Sequence, residues 1–347
     1  MISISVCMIV KNEEKILARC LDSLKGIADE MVIVDTGSTD RTKEIAQTYT
    51  DKIYDFEWID DFSAARNYAF SKATKEYVYM ADADEVIDEE NRRRFLLLKE
   101  MLSSEVEIVQ MYYDNQLDKG TVYNFNKEYR PKLYKRVRQF RFEDPIHEAV
   151  RLDPVIYNSE IAILHLPQEC HAKRDFGSYY KAIERGETIS PKLFGMFAKE
   201  LWIAGDDDDF RKAQKYFKDR VNQEVLDETS LKSAQCVLAH CAAINEDNEN
   251  FFMYCLHNVA DGKASAEICY ELGCYYMKQK WYAEASMWFY NAAYEAESQC
   301  NIHYSGDYAL YKLAECLRQL GDEETAQKVE DEAEEWVVPD SPDVRGC

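Results

Sequence analysis

The sequence contains few of the residues that dominate fibrous and repetitive proteins. It has 12 glycines and 7 prolines among 347 residues, which excludes a collagen-like or low-complexity chain. Its 11 cysteines form no CxxC pair and show no metal-ligand spacing, and their number is odd. We therefore expect no disulfide scaffold, and a reducing compartment such as the cytoplasm suits these thiols.

Positive charge and long apolar runs are also scarce. Lys and Arg number 42 against 65 Asp and Glu, which gives a formal net charge of −23. The negative electrostatic potential of such a chain repels phosphate backbones and anionic lipids. Neither nucleic-acid binding nor peripheral membrane association is therefore expected. No apolar run approaches the roughly eighteen residues of a membrane span, and residues 1–10 lack the features of a signal peptide. These absences predict a soluble, cytoplasmic protein without an integral membrane segment.

The first half of the chain alternates short apolar runs with amphipathic segments. This alternation predicts strands at residues 2–10, 31–34 and 77–80, and helices at residues 41–49, 63–73 and 89–102. Strands that alternate with helices are typical of a parallel sheet with helices on both faces. Longer connections then separate further predicted strands at residues 105–113, 129–136, 138–143 and 161–166. We predict an α/β, Rossmann-like domain over residues 1–170, with a mostly parallel sheet and a mixed extension.

In the second half of the chain, the apolar and small residues recur at the spacing of helices rather than of strands. From about Phe176 onward, Ala, Tyr, Glu and Lys recur at helical spacing. The offsets of Gly273, Tyr276, Ala285 and Phe289 are typical of a tetratricopeptide repeat, in which small residues let two helices approach closely. We predict an all-α, tetratricopeptide-like domain over residues 176–347, with a generic helical bundle as the alternative. The concave face of such a solenoid often holds a peptide or protein.

Polar motifs stand where the predicted strands of the first half end or the next helix begins. In an open α/β sheet, ligands bind beyond the carboxyl ends of the strands. Any one of these motifs alone is better explained as a turn or a helix cap. Because all four occur in succession at such positions, we expect them to form one shared site. The motifs occupy residues 10–13, 35–40, 61–67 and 82–85.

The residue types in these motifs suit a nucleotide sugar. Asp35 can accept hydrogen bonds from a base or from ribose hydroxyls. Asp82 and Asp84 offer hard oxygen ligands to Mg²⁺ or Mn²⁺. Such a cation bridges a diphosphate and stabilises the charge that develops as the glycosidic bond breaks. Arg66 can add positive charge beside the same leaving group.

The order KNEE, DTGSTDRT, DDFSAARN and DADE, followed by PKLYKR, PIHEAV and ILHL, resembles the family-2 glycosyltransferases with the GT-A fold. Within that family it resembles the branch that includes lipopolysaccharide-core glycosyltransferases and sublancin-type peptide S-glycosyltransferases. The latter carry a helical repeat region after the catalytic domain. The resemblance covers residues 2 to about 166. It implies an inverting transfer from a nucleotide sugar, usually a UDP-sugar, assisted by Mn²⁺ or Mg²⁺.

The resemblance also implies roles for individual residues. It places Asp35 on the uracil, Asp82 on the ribose or the metal, and Asp84 as the main metal ligand. His147 or His165 would complete the metal or diphosphate shell, and a hydrogen-bonded structural histidine is the alternative for each. The other expected nucleotide-sugar-binding residues are Val10, Asn12, Glu13, Gly37, Ser38, Arg66, Asn67, Ala83 and Glu85.

An inverting transfer further needs a base on the face of the sugar opposite the diphosphate. Glu148 is the preferred candidate, and Glu143, Asp144 and His147 remain open alternatives.

Together these inferences predict a glycosyltransferase whose acceptor is a Cys, Ser or Thr side chain of a peptide or protein held by the helical repeats. A homodimer is a further expectation. One alternative is a lipid-linked or surface glycan as acceptor, with the repeats docking a partner protein. The other is a repeat scaffold whose first half only binds partners. The sequence identifies neither the sugar nor the acceptor atom.

Overall fold

A computed structural model describes residues 1–115, 125–143, 149–150, 154–166, 172–186, 189–223, 226–260 and 262–340. The chain divides into two compact units, one formed by Met1–Cys170 with Pro339–Cys347 and the other by His171–Val338. Within the described ranges, no helix is both long and apolar enough to cross a bilayer.

The first unit contains ten described strands. They are β1 (Ile4–Val10), β2 (Glu30–Asp35), β3 (Ile53–Asp55), β4 (Tyr77–Ala81), β5 (Glu85–Val86), β6 (Ile108–Asn115), β7 (Lys127–Lys135), β8 (Phe142–Glu143), β9 (Ala149–Val150) and β10 (Ile156–His165). Eight form one sheet in the order β3-β2-β1-β4-β7-β6-β10-β5, and β8 pairs with β9. β1, β2, β3 and β4 pair in parallel, as do β6 and β10, whereas β7 and β5 run antiparallel to their neighbours. The predicted mostly parallel sheet with a mixed extension is confirmed.

Helices cover both faces of this sheet, which is why its central strands are almost continuously apolar. Val6 on β1 shares one core with Leu17 and Phe95, while the next residue, Cys7, shares the opposite core with Ala69. This alternation follows from the two-residue period of a strand. The helices are α1 (Leu17–Ser23), α2 (Thr42–Gln47), α3 (Phe62–Lys72) and α4 (Glu89–Met101).

One predicted strand is largely absent. Residues 138–143 were expected to be extended, but Arg136–Arg138 form a 3₁₀ turn and only the two residues of β8 pair in this stretch. Gln139 has a φ of 50°, in the left-handed region, so the chain turns there and cannot continue as a strand.

The described part of the second unit is helical, as predicted. Its helices are α5 (Ala172–Glu184), α6 (Pro191–Ala204), α7 (Asp207–Gln223), α8 (Glu228–Ile244), α9 (Asn248–Val259), α10 (Ala266–Lys278), α11 (Tyr282–Tyr290), α12 (Asp307–Gln319) and α13 (Glu323–Glu335). Gly273 on α10 lies against Phe289 on α11, where an added Cβ would be 2.7 Å from the ring. This close approach is the one that the tetratricopeptide pattern predicts, and it confirms the repeat-like character of this half.

The end of the described chain belongs to the first unit. The carbonyl oxygen of Pro339 accepts a hydrogen bond from the backbone N–H of Asn126 at 3.2 Å. The side chain of Asn126 also donates to Asp340 at 3.3 Å. The helical domain was predicted to extend to residue 347, whereas these two residues lie with the sheet.

Candidate functional site

The strands that precede the first, second and fourth polar motifs end at the same edge of the sheet. Val10 at the end of β1 is paired with Asp35 at the end of β2. On the other side of β1, Met8 is paired with Ala81, the last residue of β4. This edge therefore carries the loops that contain Asn12, Asp35 and the DADE motif, where an α/β sheet binds its ligands.

Hydrogen bonds tie the loop after β1 to the loop after β2. Asn12 has a left-handed φ of 57°, and its side-chain oxygen accepts a hydrogen bond from the N–H of Thr39 at 2.8 Å. The backbone N–H of Asn12 donates to the hydroxyl of Ser38 at 3.0 Å. The N–H of Glu13 likewise donates to the hydroxyl of Thr42 at 2.7 Å. These bonds fix the two loops relative to each other.

Asp35 is almost fully buried at this edge, with 2% of its surface exposed. Its Oδ1 atom accepts hydrogen bonds from the backbone N–H groups of Gly37 and Ser38, both at 3.0 Å. Gly37 has a φ of 102°, which lets the chain turn back onto the carboxylate. The Oδ2 atom is buried without a hydrogen-bond partner from the described residues. An unsatisfied buried acceptor is costly, so this oxygen suits a donor group on a bound ligand.

The DADE motif forms a tight turn that is closed by two hydrogen bonds between Asp82 and Glu85. The N–H of Glu85 donates to the carbonyl of Asp82 at 3.1 Å, and the N–H of Asp82 donates to Oε2 of Glu85 at 3.2 Å. Two further contacts hold the turn from outside. The thiol of Cys20 donates to the carbonyl of Asp82 at 3.3 Å, and the N–H of Leu166 donates to the carbonyl of Asp84 at 2.8 Å.

Two cations face the half-buried carboxylate of Asp82. Arg66 on α3 donates to its Oδ1 atom at 2.8 Å, and Nζ of Lys132 on β7 lies 3.5 Å from its Oδ2 atom. Lys132 also donates to Oε1 of Glu85 at 2.6 Å. Burial alone would raise the pKa of Asp82, but Arg66 and Lys132 outweigh it and hold that pKa below its usual range. Burial raises the pKa of Glu85, and the nearby charge of Asp82 adds to this against the opposing effect of Lys132.

Asp84 lies beside His165, which is at the end of β10. Nε2 of His165 is 3.2 Å from Oδ2 of Asp84. The antiparallel pairing of His165 with Glu85 brings the two together, and the imidazole lies 5.0 Å from the ring of Tyr113. A carboxylate oxygen and an imidazole nitrogen are both common metal ligands.

Asp84 and His165 could supply some of the ligands of a cation, with the remaining ligands coming from substrate and water. Among the residues that the structure describes, no group of three or more His, Cys, Asp or Glu side chains could enclose a metal ion. Mg²⁺ in particular is commonly held by one or two carboxylates while substrate phosphates and waters supply its other ligands. Asp84 can supply one such carboxylate, and the imidazole of His165 lies 3.2 Å from it.

Several of the predicted residues take part in the packing and hydrogen bonding around these loops. The amide of Asn67 donates to the carbonyl of Phe142 and accepts from its N–H, both at 2.9 Å, and so anchors β8. The side chains of Val10, Ala83 and Glu85 are buried. The predicted residues Asp144, His147 and Glu148 lie outside the described residues, as does the side chain of Glu143.

Lys132, which contacts Asp82 and Glu85, was not among the residues predicted from the sequence. Lys132 is only 5% exposed, which is unusual for a lysine, because the carboxylates of Glu85 and Asp82 form ion pairs with its ammonium group. The sequence offers one indication that Lys132 could be buried. It lies in the motif PKLYKR, whose alternating polar and apolar residues are typical of a strand with one buried face.

Comparison with known proteins agrees with the motifs. Residues 5–151 match the family described as glycosyl transferase family 2. The chain is 28% identical over 237 residues to the SPbeta prophage-derived glycosyltransferase SunS of Bacillus subtilis, covering 63% of this chain and 53% of SunS. It is 36% identical over 162 residues to a TPR repeat-containing protein of Synechococcus elongatus, covering 43% of this chain and 36% of that protein.

A third relative is the lipopolysaccharide core biosynthesis glycosyltransferase LpsC of Rhizobium meliloti. The identity is 34% over 110 residues, covering 30% of this chain and 39% of LpsC. The chain thus spans between about a third and about half of the length of these curated relatives. The resemblance drawn from the motifs is confirmed: this chain contains a glycosyl transferase family 2 domain at residues 5–151.

Proposed function

We propose that this protein is a metal-dependent, inverting glycosyltransferase that uses a nucleotide sugar, with UDP-sugars as the expected class. The observation that carries the proposal is the placement of the Asp84–His165 pair on the same unit whose sheet edge also bears the buried carboxylate of Asp35. A nucleotide diphosphate sugar needs both features, since its base seeks a hydrogen-bonding partner and its diphosphate seeks positive charge.

Asp35 is the proposed partner of the base. Its Oδ2 atom is buried and accepts no hydrogen bond from the described residues, while Oδ1 is held by two backbone N–H groups. A uracil N–H would satisfy this oxygen without moving the carboxylate. The rigid loops around Asn12 and Gly37 would keep the acceptor atom in place.

Asp84 and His165 are the proposed protein ligands of Mn²⁺ or Mg²⁺. When bound, the cation neutralises the negative charge that develops on the departing diphosphate. Asp82, two positions before Asp84, forms an ion pair with Arg66, so the guanidinium is oriented by a carboxylate that is itself held in place. Asp82 was also predicted as a metal ligand, and its two ion pairs favour a role in orienting Arg66.

Glu148 remains the proposed base. It would take the proton from the acceptor as the acceptor atom attacks the anomeric carbon from the face opposite the diphosphate. A cysteine acceptor would need little assistance, because the pKa of a thiol is about 8.5, close to neutral.

The helical unit supports a peptide or protein as acceptor. It carries a cavity of about 270 Å³ whose lining includes Phe251, Glu271, Tyr275 and Lys278. A neighbouring cavity of about 390 Å³ shares Cys274 and Lys278 with it. Aromatic side chains next to charges of both signs can bind apolar and polar parts of a polypeptide together. The predicted cytoplasmic location and homodimer are parts of the same proposal.

A glycan acceptor is the second candidate. It is favoured by the identity of 34% to LpsC, whose name places it in lipopolysaccharide core biosynthesis. The two candidates differ in where the sugar goes, so they are separable by experiment.

The proposal is tested by offering a panel of radiolabelled UDP-sugars with Mn²⁺ and host lysate to the purified protein. We expect label from one sugar to enter the protein fraction, and we expect Asp84→Asn to prevent its incorporation. Label in the lipid or glycan fraction alone would favour the second candidate. If the protein neither transfers label nor hydrolyses any donor, the enzymatic proposal is wrong.

A further inference from the structure

Lys132 is a buried lysine that contacts two acidic residues of one turn. Its side chain is 7% exposed, and its Nζ atom lies 2.6 Å from Glu85 and 3.5 Å from Asp82. The rings of Tyr79 and Tyr113 lie 5.9 and 5.8 Å from the same atom. The ammonium group is therefore largely removed from water and held by two carboxylates.

Glu85 connects this lysine to the turn. One of its carboxylate oxygens accepts from Lys132, and the other accepts from the backbone N–H of Asp82. The Glu85 side chain is 2% exposed, so these partners replace the water that it has lost. Because Glu85 closes the turn through both its side chain and its own N–H, its position sets the path of the backbone from Asp82 to Asp84.

The charges in this cluster balance. When both carboxyl groups are ionised, the two negative charges of Asp82 and Glu85 are matched by the two positive charges of Arg66 and Lys132. Removing one member of a buried ion pair leaves an uncompensated charge, whereas removing both members can be nearly neutral for stability. This difference allows stability and function to be tested separately.

We propose that Lys132 is a positioning residue of this glycosyltransferase domain: through Glu85 it fixes the turn that presents Asp84 to His165, and through Asp82 it helps to orient Arg66. The inference rests on the proposed function and adds to it a residue that touches neither donor nor acceptor. Partners of this kind typically change metal affinity by about 10- to 100-fold when they are removed.

The decisive variant is the double substitution Lys132→Met with Glu85→Gln. The glutamine keeps an oxygen that can accept from the N–H of Asp82, and the pair as a whole stays neutral. We expect this variant to unfold within a few degrees of the wild type. We also expect it to need about tenfold more Mn²⁺ for half-maximal UDP binding, measured by equilibrium dialysis with labelled UDP. Its turnover of UDP-sugar hydrolysis should fall by a similar factor.

Lys132→Arg is the second variant, because it retains the positive charge. It should keep the Mn²⁺ requirement for UDP binding within about threefold of the wild type, and Lys132→Met alone should lose both stability and binding.

Wild-type Mn²⁺ dependence and wild-type turnover in the double variant would overturn the inference and leave the proposed function standing. An arginine variant that loses as much binding as the double variant would overturn it as well. A wild-type protein whose UDP binding ignores Mn²⁺ would overturn the proposed metal dependence itself, and this inference with it.

Discussion

His165 and Asp84 are 81 positions apart in the sequence, yet Nε2 of the histidine lies 3.2 Å from Oδ2 of the aspartate. The contact depends on β10 pairing with β5, which places His165 opposite Glu85. Two strands that are distant in the chain thus bring an imidazole to the acidic turn after β4.

Substitution of His165 tests this pairing. We expect His165→Gln to raise the Mn²⁺ concentration needed for UDP binding by about tenfold, because the proposed cation loses one of its two protein ligands. His240, whose Nδ1 atom lies 2.7 Å from Glu271 in the helical unit, offers a matched control. His240→Gln should leave the Mn²⁺ requirement unchanged, and an equal effect of both substitutions would contradict the assignment.

Asp35→Asn tests the base-binding role. The amide group would place a donor where the buried Oδ2 atom now offers an acceptor, so affinity for UDP should fall by about tenfold or more. Asp88→Asn is the control, since Asp88 caps α4 by accepting from the N–H of Asn91. Its UDP affinity should match the wild type. Calorimetric titration measures the UDP affinity of both variants. If Asp35→Asn binds UDP as tightly as the wild type, Asp35 does not bind the base.

Glu30 links stability to pH. Burial by itself would raise the pKa of Glu30, but hydrogen bonds from Lys52, Ser5 and Thr74 outweigh it and lower that pKa to about 2, from 4.5. Because the folded-state pKa is depressed, the stabilisation is fully present above pH 4.5 and is lost as the pH falls toward 2. We expect Glu30→Gln to cost about 2 kcal/mol at pH 7 and progressively less below pH 4.5.

Denaturant unfolding of the wild type and Glu30→Gln at several pH values checks this expectation. A difference in unfolding free energy that stays constant between pH 7 and pH 3 would mean that the ionised carboxylate is not the source of the stabilisation.

Gly273→Ala tests the packing of the helical unit. The added Cβ would lie 2.7 Å from the ring of Phe289, so we expect a loss of about 1–3 kcal/mol in unfolding free energy. Gly195 in α6 is a matched control, because nothing lies within 4 Å of an added Cβ there. Gly195→Ala should be neutral or slightly stabilising, since alanine favours a helix. Equal effects of the two substitutions would show that the close contact is unimportant.

The sequence predicted the central strands of the sheet because β1, β2 and β4 are apolar runs buried on both faces, a pattern that needs no tertiary knowledge. It did not predict β3 or β5, which have three and two residues and therefore carry almost no periodicity. The Asp35 and DADE motifs were found because they follow predicted strands directly.

Other features depend on long-range packing. The motif resemblance suggested His165, but only the pairing of β10 with β5 brings it to Asp84. Lys132 looks like an ordinary exposed lysine in the sequence, and its burial follows from the two carboxylates that meet it. Asn67 was predicted to bind the nucleotide sugar, and only the fold shows that its amide also hydrogen-bonds the backbone of Phe142, 75 positions away.

Titration of UDP into the protein with and without Mn²⁺, for the wild type and Asp84→Asn, tests the central claim most directly. The claim predicts that Mn²⁺ tightens UDP binding to the wild type by about tenfold or more, and that this gain disappears in Asp84→Asn while metal-free binding persists. An Asp84→Asn variant in which Mn²⁺ still tightens UDP binding as strongly as in the wild type would contradict it.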